Sequence, residues 1–145
     1  MMLALNIYEI DKTNIIFGNK EINLIHNYNF FYKIIYSTCY YVMNGIFINL
    51  ILSNYKKNNY YNYCKIIFDV QNNIRLINLV YEMEQHILSG FENNGNVQYN
   101  LHNELMRGII KVSKKSKYTT NIVLRITGVW ENNTNIGLSY KFDFI

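Results

Sequence analysis

Proline is absent from this 145-residue chain and tryptophan occurs once. The missing proline accompanies an excess elsewhere: Asn (24), Ile (22), Tyr (14) and Lys (11) fill 71 positions. Those four residues have A/T-rich codons and proline has G/C-rich ones, so coding bias alone would yield this composition. Abundant Asn and Tyr therefore say little about function by themselves. Cysteine is scarce, with Cys39 and Cys64 too far apart for the two- to four-residue spacing of a zinc site. Both thiols are expected to be reduced and mostly buried. No long apolar run exists: the stretch from Ile46 to Leu52 is broken by Asn49 and falls far short of the roughly 20 residues of a spanning helix. The amino end carries Glu9 and lacks a basic segment and a small-residue cleavage site, so no export signal is expected. The expectation is a soluble, intracellular protein.

Catalytic constellations are equally thin. The three aspartates, Asp11, Asp69 and Asp143, lie far apart, which argues against two-metal nuclease chemistry. His26, His86 and His102 are scattered. His102-Asn103-Glu104 has the H-x-E form of a zinc deaminase, but the P-C-x-x-C partner is missing. Glu82 and His86, at i and i+4, read as a surface pair rather than a metal site. Neither glycine-rich phosphate loop is present. The chain is not expected to be an enzyme, and no cofactor or metal is implied.

What is present suits one domain spanning residues 1–145. Half of the residues are hydrophobic and 16% are aromatic, enough for a real core. β-branched and aromatic residues punctuated by Asn and Gly predict strands near Leu3–Ile10, Asn14–Phe17, Ile22–Ile25, Asn29–Tyr36, Ile46–Leu52 and Tyr63–Val70. Gly18-Asn19 and Asn44-Gly45 read as turns, and the polar run Ser53–Asn62 as a protruding loop. From Asn73 to Leu88 the apolar residues Ile77, Val80, Tyr81, Met83, Ile87 and Leu88 recur at helical spacing, with Glu82, Glu84 and Gln85 on the other face. Asn72 or Asn73 is placed to cap this helix and Gly90 to end it. Glu92–Asn96 reads as a turn, and further strands are expected over Gly108–Val112, Asn121–Thr127 and Ile136–Phe144. The class is α+β, mainly antiparallel, with one amphipathic helix covering one end of a sheet or barrel.

Charge is distributed unevenly. Between Leu105 and Trp130 stand Arg107, Lys111, Lys114, Lys115, Lys117 and Arg125, without one acidic residue. The rest of the chain carries eight basic and ten acidic residues, so the net +4 arises entirely from this window. Clustered ammonium groups repel one another unless an anion neutralises them, and a phosphate backbone does so with counterion release. A solvated Lys-rich hairpin that only aids solubility is the competing interpretation. Aromatic rings accompany the cations: Tyr118 follows the cluster, Tyr99 precedes it, and Tyr55, Tyr60, Tyr61 and Tyr63 flank Lys56-Lys57. Charges that follow phosphates and rings on which bases stack are what single-stranded nucleic acid requires.

Near the carboxy end Gly128-Val129-Trp130 is followed, after a short polar loop, by Gly137-Leu138-Ser139-Tyr140-Lys141. Taken with the strand–helix unit over Tyr63–Leu88, this order resembles the single-stranded DNA-binding proteins of large double-stranded DNA viruses. The resemblance implies an OB-like, partly open barrel with one inserted helix. It also implies sequence-independent coating of single-stranded DNA in viral replication or recombination, in the host nucleus or at a cytoplasmic replication site. By position, Gly128 and Gly137 would serve turns and close strand packing. Trp130 would be a barrel-edge aromatic, either core or stacking platform, and Lys141 would face the groove. The nucleic-acid-binding residues expected are Lys56, Lys57, Tyr60, Tyr61, Arg107, Lys111, Lys114, Lys115, Lys117, Tyr118, Arg125, Trp130 and Lys141. Expected partners are single-stranded DNA, with RNA served by the same contacts, a second copy of the chain in a homo-oligomer, and replication proteins; no membrane is involved. The competing readings are a viral coat or assembly protein built as a β-sandwich, and a nuclease-like enzyme whose acids converge only in the fold.

Overall fold

The computed structural model describes residues 4–22, 30–113 and 121–145. Among them ten strands form one sheet: β1 (Ile15–Ile22), β2 (Phe30–Ser37), β3 (Val42–Met43), β4 (Ile46–Asn49), β5 (Tyr55–Asn59), β6 (Tyr63–Phe68), β7 (Asn96–Gln98), β8 (Ile109–Ser113), β9 (Ile122–Glu131) and β10 (Asn135–Phe144). The path β1-β2-β9-β10-β8-β6-β5 leaves β1 and β5 as open edges, with β3 on β2, β4 on β9 and β7 on β10. Most neighbours run antiparallel; β10 alone is flanked in parallel, by β7 and β8. Helix α1 (Ile74–Ser89) and a short α2 (Asn100–Met106) complete the elements. The class is therefore α+β, with mostly antiparallel strands in an open sheet and one main helix, consistent with an open OB-like architecture.

Alternation builds the core. Along β6 and β8 every second residue is buried, so Cys64, Ile66, Phe68, Ile110 and Val112 join Leu124, Phe142 and Phe144 in one hydrophobic cluster. Ile77, Val80, Met83, Ile87 and Leu88 supply the apolar stripe of α1 to that cluster. Each fully buried aliphatic side chain contributes roughly 1.5–3 kcal/mol, which outweighs the weak helix propensity of the β-branched residues in α1.

Several local expectations are corrected. Ser53–Asn62 is not a loop: it holds β5, an edge strand with all five residues exposed, paired to β6. A strand solvated on both faces has no hydrophobic period to read, and its lysines guard the edge against pairing with other chains. Gly18-Asn19 is not a turn but lies within the continuous β1, whose register with β2 shifts between Phe17 and Lys20. The described part of the expected Leu3–Ile10 strand, residues 4–10, is not a strand. Asn6 and Glu9 form a reciprocal capping box on a single helical turn, Ile7–Glu9, and only Leu5 makes a bridge, to Ile48. Asn73 stands at the N-cap position of α1 but makes no cap bond; buried, it hydrogen-bonds the backbone N–H and carbonyl of Ser53 instead. Glu84, expected on the wet face of α1, is fully buried. Cys64 is buried but Cys39 is exposed, and the two thiols are not bonded to each other.

Asn44-Gly45 does turn the chain between β3 and β4, with Gly45 at φ +116° and no room for a Cβ against the Ile126 carbonyl oxygen. The segment holding Lys114, Lys115, Lys117 and Tyr118, and the part of the expected Ile22–Ile25 strand beyond Ile22, lie outside the described residues.

Candidate nucleic-acid interface

The register of five strands determines which cations share a face. Lys65 of β6 pairs with Lys111 of β8, and Tyr63 with Ser113. Ser113 pairs in turn with Asp143 of β10, so Lys111 and Lys141, each two residues earlier, lie by alternation on the same side of their strands. Lys141 pairs with Arg125 of β9. Arg125, Lys141, Lys111 and Lys65 thus form a row across four strands, about 15 Å long at the usual strand spacing. Lys56 of β5, opposite Ile67, continues the row one diagonal step further. On this side β8 exposes Ile109, Lys111 and Ser113.

The members of the row are not equivalent. Asp143 is buried, and its Oδ2 lies 2.9 Å from the Arg125 guanidinium and 3.7 Å from Lys141 Nζ. Arg125, only 22% exposed and stacked 5.3 Å from the Phe47 ring, is held down by that pair. It anchors β9 to β10 more than it lines a groove, contrary to expectation. Lys56 and Lys65 make no ion pair among the described residues, and Lys111 Nζ sits 4.3 Å above the Tyr63 ring. Tyr63 is stacked on Tyr60 with centroids 4.8 Å apart and planes 13° from parallel. Tyr60 is 44% exposed and Tyr61 almost wholly so. The stacked pair offers a flat ring at the β5–β6 end of the row.

Two expected contacts are displaced. Lys57 alternates with Lys56 and so belongs to the opposite face, where its ammonium lies 4.6 Å from the Phe144 ring. Trp130 is buried; its indole N–H donates to the Leu138 carbonyl, 3.0 Å away. It presents no ring face for stacking. The glycines of the carboxy-terminal motif explain its position: a Cβ on Gly137 would fall 2.7 Å from the indole, and one on Gly128 would fall 2.3 Å from the Phe31 ring. In this fold G-x-W and the following glycine are a packing device.

Arg107 follows α2 and lines a cavity of about 240 Å³ with Lys65, Glu104, Ile109, Ile110 and Lys111. Sequence reading missed Lys65, which is isolated from the basic window and reaches it only through the β6–β8 pairing. It also missed α2. That helix is anchored by buried Glu84, whose carboxylate accepts the N–H groups of Leu101 and His102 at 3.1 and 3.0 Å. Burial pushes Glu84 up to about 7, and the same desolvation lowers His102. The Tyr140 hydroxyl donates to Glu104; burial first, then that carboxylate, raises the phenol.

Among the described residues no group of three or more His, Cys, Asp or Glu is placed to hold a metal ion, and no helix is long and apolar enough to cross a membrane. Compared with family models, with curated proteins and with solved structures, the chain matches none.

Proposed function

We propose that the open face of β5, β6, β8 and β10 binds single-stranded nucleic acid, DNA foremost, without sequence preference. One observation carries the reading: Lys65 and Lys111 are paired and Lys141 lies on the same side of the neighbouring strand, with the Tyr60–Tyr63 stack at one end. Phosphates neutralise the lysines while unpaired bases stack on the rings, a contact worth about 1–3 kcal/mol per base. Nothing in the row reads base edges, because lysine ammonium groups are point charges without a fixed fork. The carboxy-terminal G-x-W adds no stacking surface to this face, since Trp130 is buried.

Titration of labelled oligo(dT) at several salt concentrations tests it. With Lys56, Lys65, Lys111 and Lys141 engaged, log affinity should fall against log salt with a slope of about −3, and duplex of equal length should bind more weakly. A flat salt response, or a preference for duplex, would reject the proposal.

A further inference from the structure

We infer that the cavity beside α2 is a pocket for a phosphomonoester dianion, supplied by the terminal phosphate of a nucleic-acid strand. The inference rests on the proposed single-strand binding and assigns the strand end a place of its own. Among the described residues three cations, Lys65, Lys111 and Arg107, line a cavity of about 240 Å³ together with one carboxylate, Glu104. The Tyr140 hydroxyl donates to Glu104 and holds it, and among the described residues neither Lys65 nor Arg107 has an ion-pair partner. The described residues of the cavity walls therefore carry a surplus of two positive charges.

That surplus matches a particular anion. Lys65 and Lys111 are directly opposed on adjacent strands, an arrangement of like charges that is destabilising unless something neutralises it. An internal phosphodiester brings one negative charge, whereas a terminal phosphate brings about 1.5 to 2 at neutral pH. The guanidinium of Arg107 supplies the planar fork suited to phosphate oxygens, with the two ammonium groups as point charges. Ile109, 43% exposed, gives the adjoining sugar an apolar wall. Lys65 and Lys111 belong both to the cavity and to the row, so a strand end that turns off the row at these two lysines enters the pocket.

The test compares oligo(dT) with a phosphate at its 5′ end, at its 3′ end, or at neither. A terminal phosphate should tighten binding at pH 8 by about fivefold or more, and the advantage should shrink at pH 5, where the group is a monoanion. Arg107→Ala, checked for folding by circular dichroism, should bring the ratio to one; Lys65→Gln serves as the second variant. Equal affinity of all three oligonucleotides for the folded wild type overturns the pocket and leaves the single-strand reading standing. Failure of all three to bind overturns that reading instead, and thermal stabilisation by thymidine monophosphate alone then decides the pocket. Stabilisation that disappears in Arg107→Ala upholds a phosphomonoester site, and no stabilisation of the wild type ends it.

Discussion

Lys65 and Lys111 are cross-strand partners on the open face of the sheet, two ammonium groups directly opposed between β6 and β8. Such a pair costs the free protein roughly 0.2–1 kcal/mol. Lys65→Gln should therefore raise the melting temperature slightly, by about 1–3 °C for a chain of this size, while weakening oligo(dT) binding. The Lys111–Tyr63 contact is left in place by this choice. Calorimetry and a binding titration on the same preparation decide the matter; a variant that loses stability together with affinity would contradict it.

Asp143 tests the opposite balance. Its carboxylate is buried between Arg125 and Lys141, and removing one partner of a buried pair typically costs about 3–5 kcal/mol. Asp143→Ala should lose stability on that scale in urea unfolding. Lys141→Ala, which removes a half-exposed ammonium 3.7 Å away, should lose less than about 1 kcal/mol. Similar losses in the two variants would show that Asp143 is not the anchor of β9 on β10.

Glu84 predicts a pH dependence with a definite sign. Its carboxyl ordinarily titrates near 4.5 and is pushed up to about 7 in the fold, chiefly by burial. Its contribution to stability is therefore fully present below the unfolded value and is lost as pH rises through the folded one, a change on the order of 3 kcal/mol. His102, lowered by burial, works in the other sense and loses stability as pH falls. Comparing wild type with Glu84→Gln isolates the first effect: from pH 5 to pH 8 the wild type should lose stability relative to the variant. A constant difference across that range would refute it.

Trp130 reports on where bases stack. The single tryptophan is buried with its N–H bonded to the Leu138 carbonyl. Acrylamide should quench it poorly, and saturating oligo(dT) should leave its emission nearly unchanged. Tyr60→Ala, by contrast, should weaken binding by roughly tenfold, the loss of one stacking contact. Strong quenching of Trp130 by the oligonucleotide would move the stacking platform to the carboxy-terminal motif.

Gly128 and Gly137 are places where a methyl group has no room. At Gly128 the added carbon would meet the Phe31 ring and the Tyr32 carbonyl at 2.3 and 2.5 Å. Gly128→Ala must therefore separate β2 from β9, at a cost of about 1–3 kcal/mol or more. Gly90→Ala, with nothing within 4 Å, is the control and should be nearly neutral. Equal stabilities of the two variants would refute the packing role of the motif.

Elements with a half-buried period were legible before folding. β6, β8 and α1 announce themselves through Ile, Phe and Leu at spacings of two or of three and four, because one face of each is driven from water by the residues themselves. Lys111 could be singled out from the local surplus of charge, Lys56 from the tyrosines that flank it, and Lys141 from the carboxy-terminal resemblance. What only the tertiary structure decided is their grouping. Lys65 joins Lys111 through strand pairing over 46 residues of sequence, Lys57 is turned away from Lys56 by alternation, and Arg125 is drawn down onto buried Asp143. The exposed strand β5 and the seven-residue α2 likewise owe their form to distant partners, β6 for the one and Glu84 for the other. Hydrophobic period is a property of neighbours along the chain, whereas register, cavity and ion pair belong to residues that meet only when the sheet closes its hydrogen bonds.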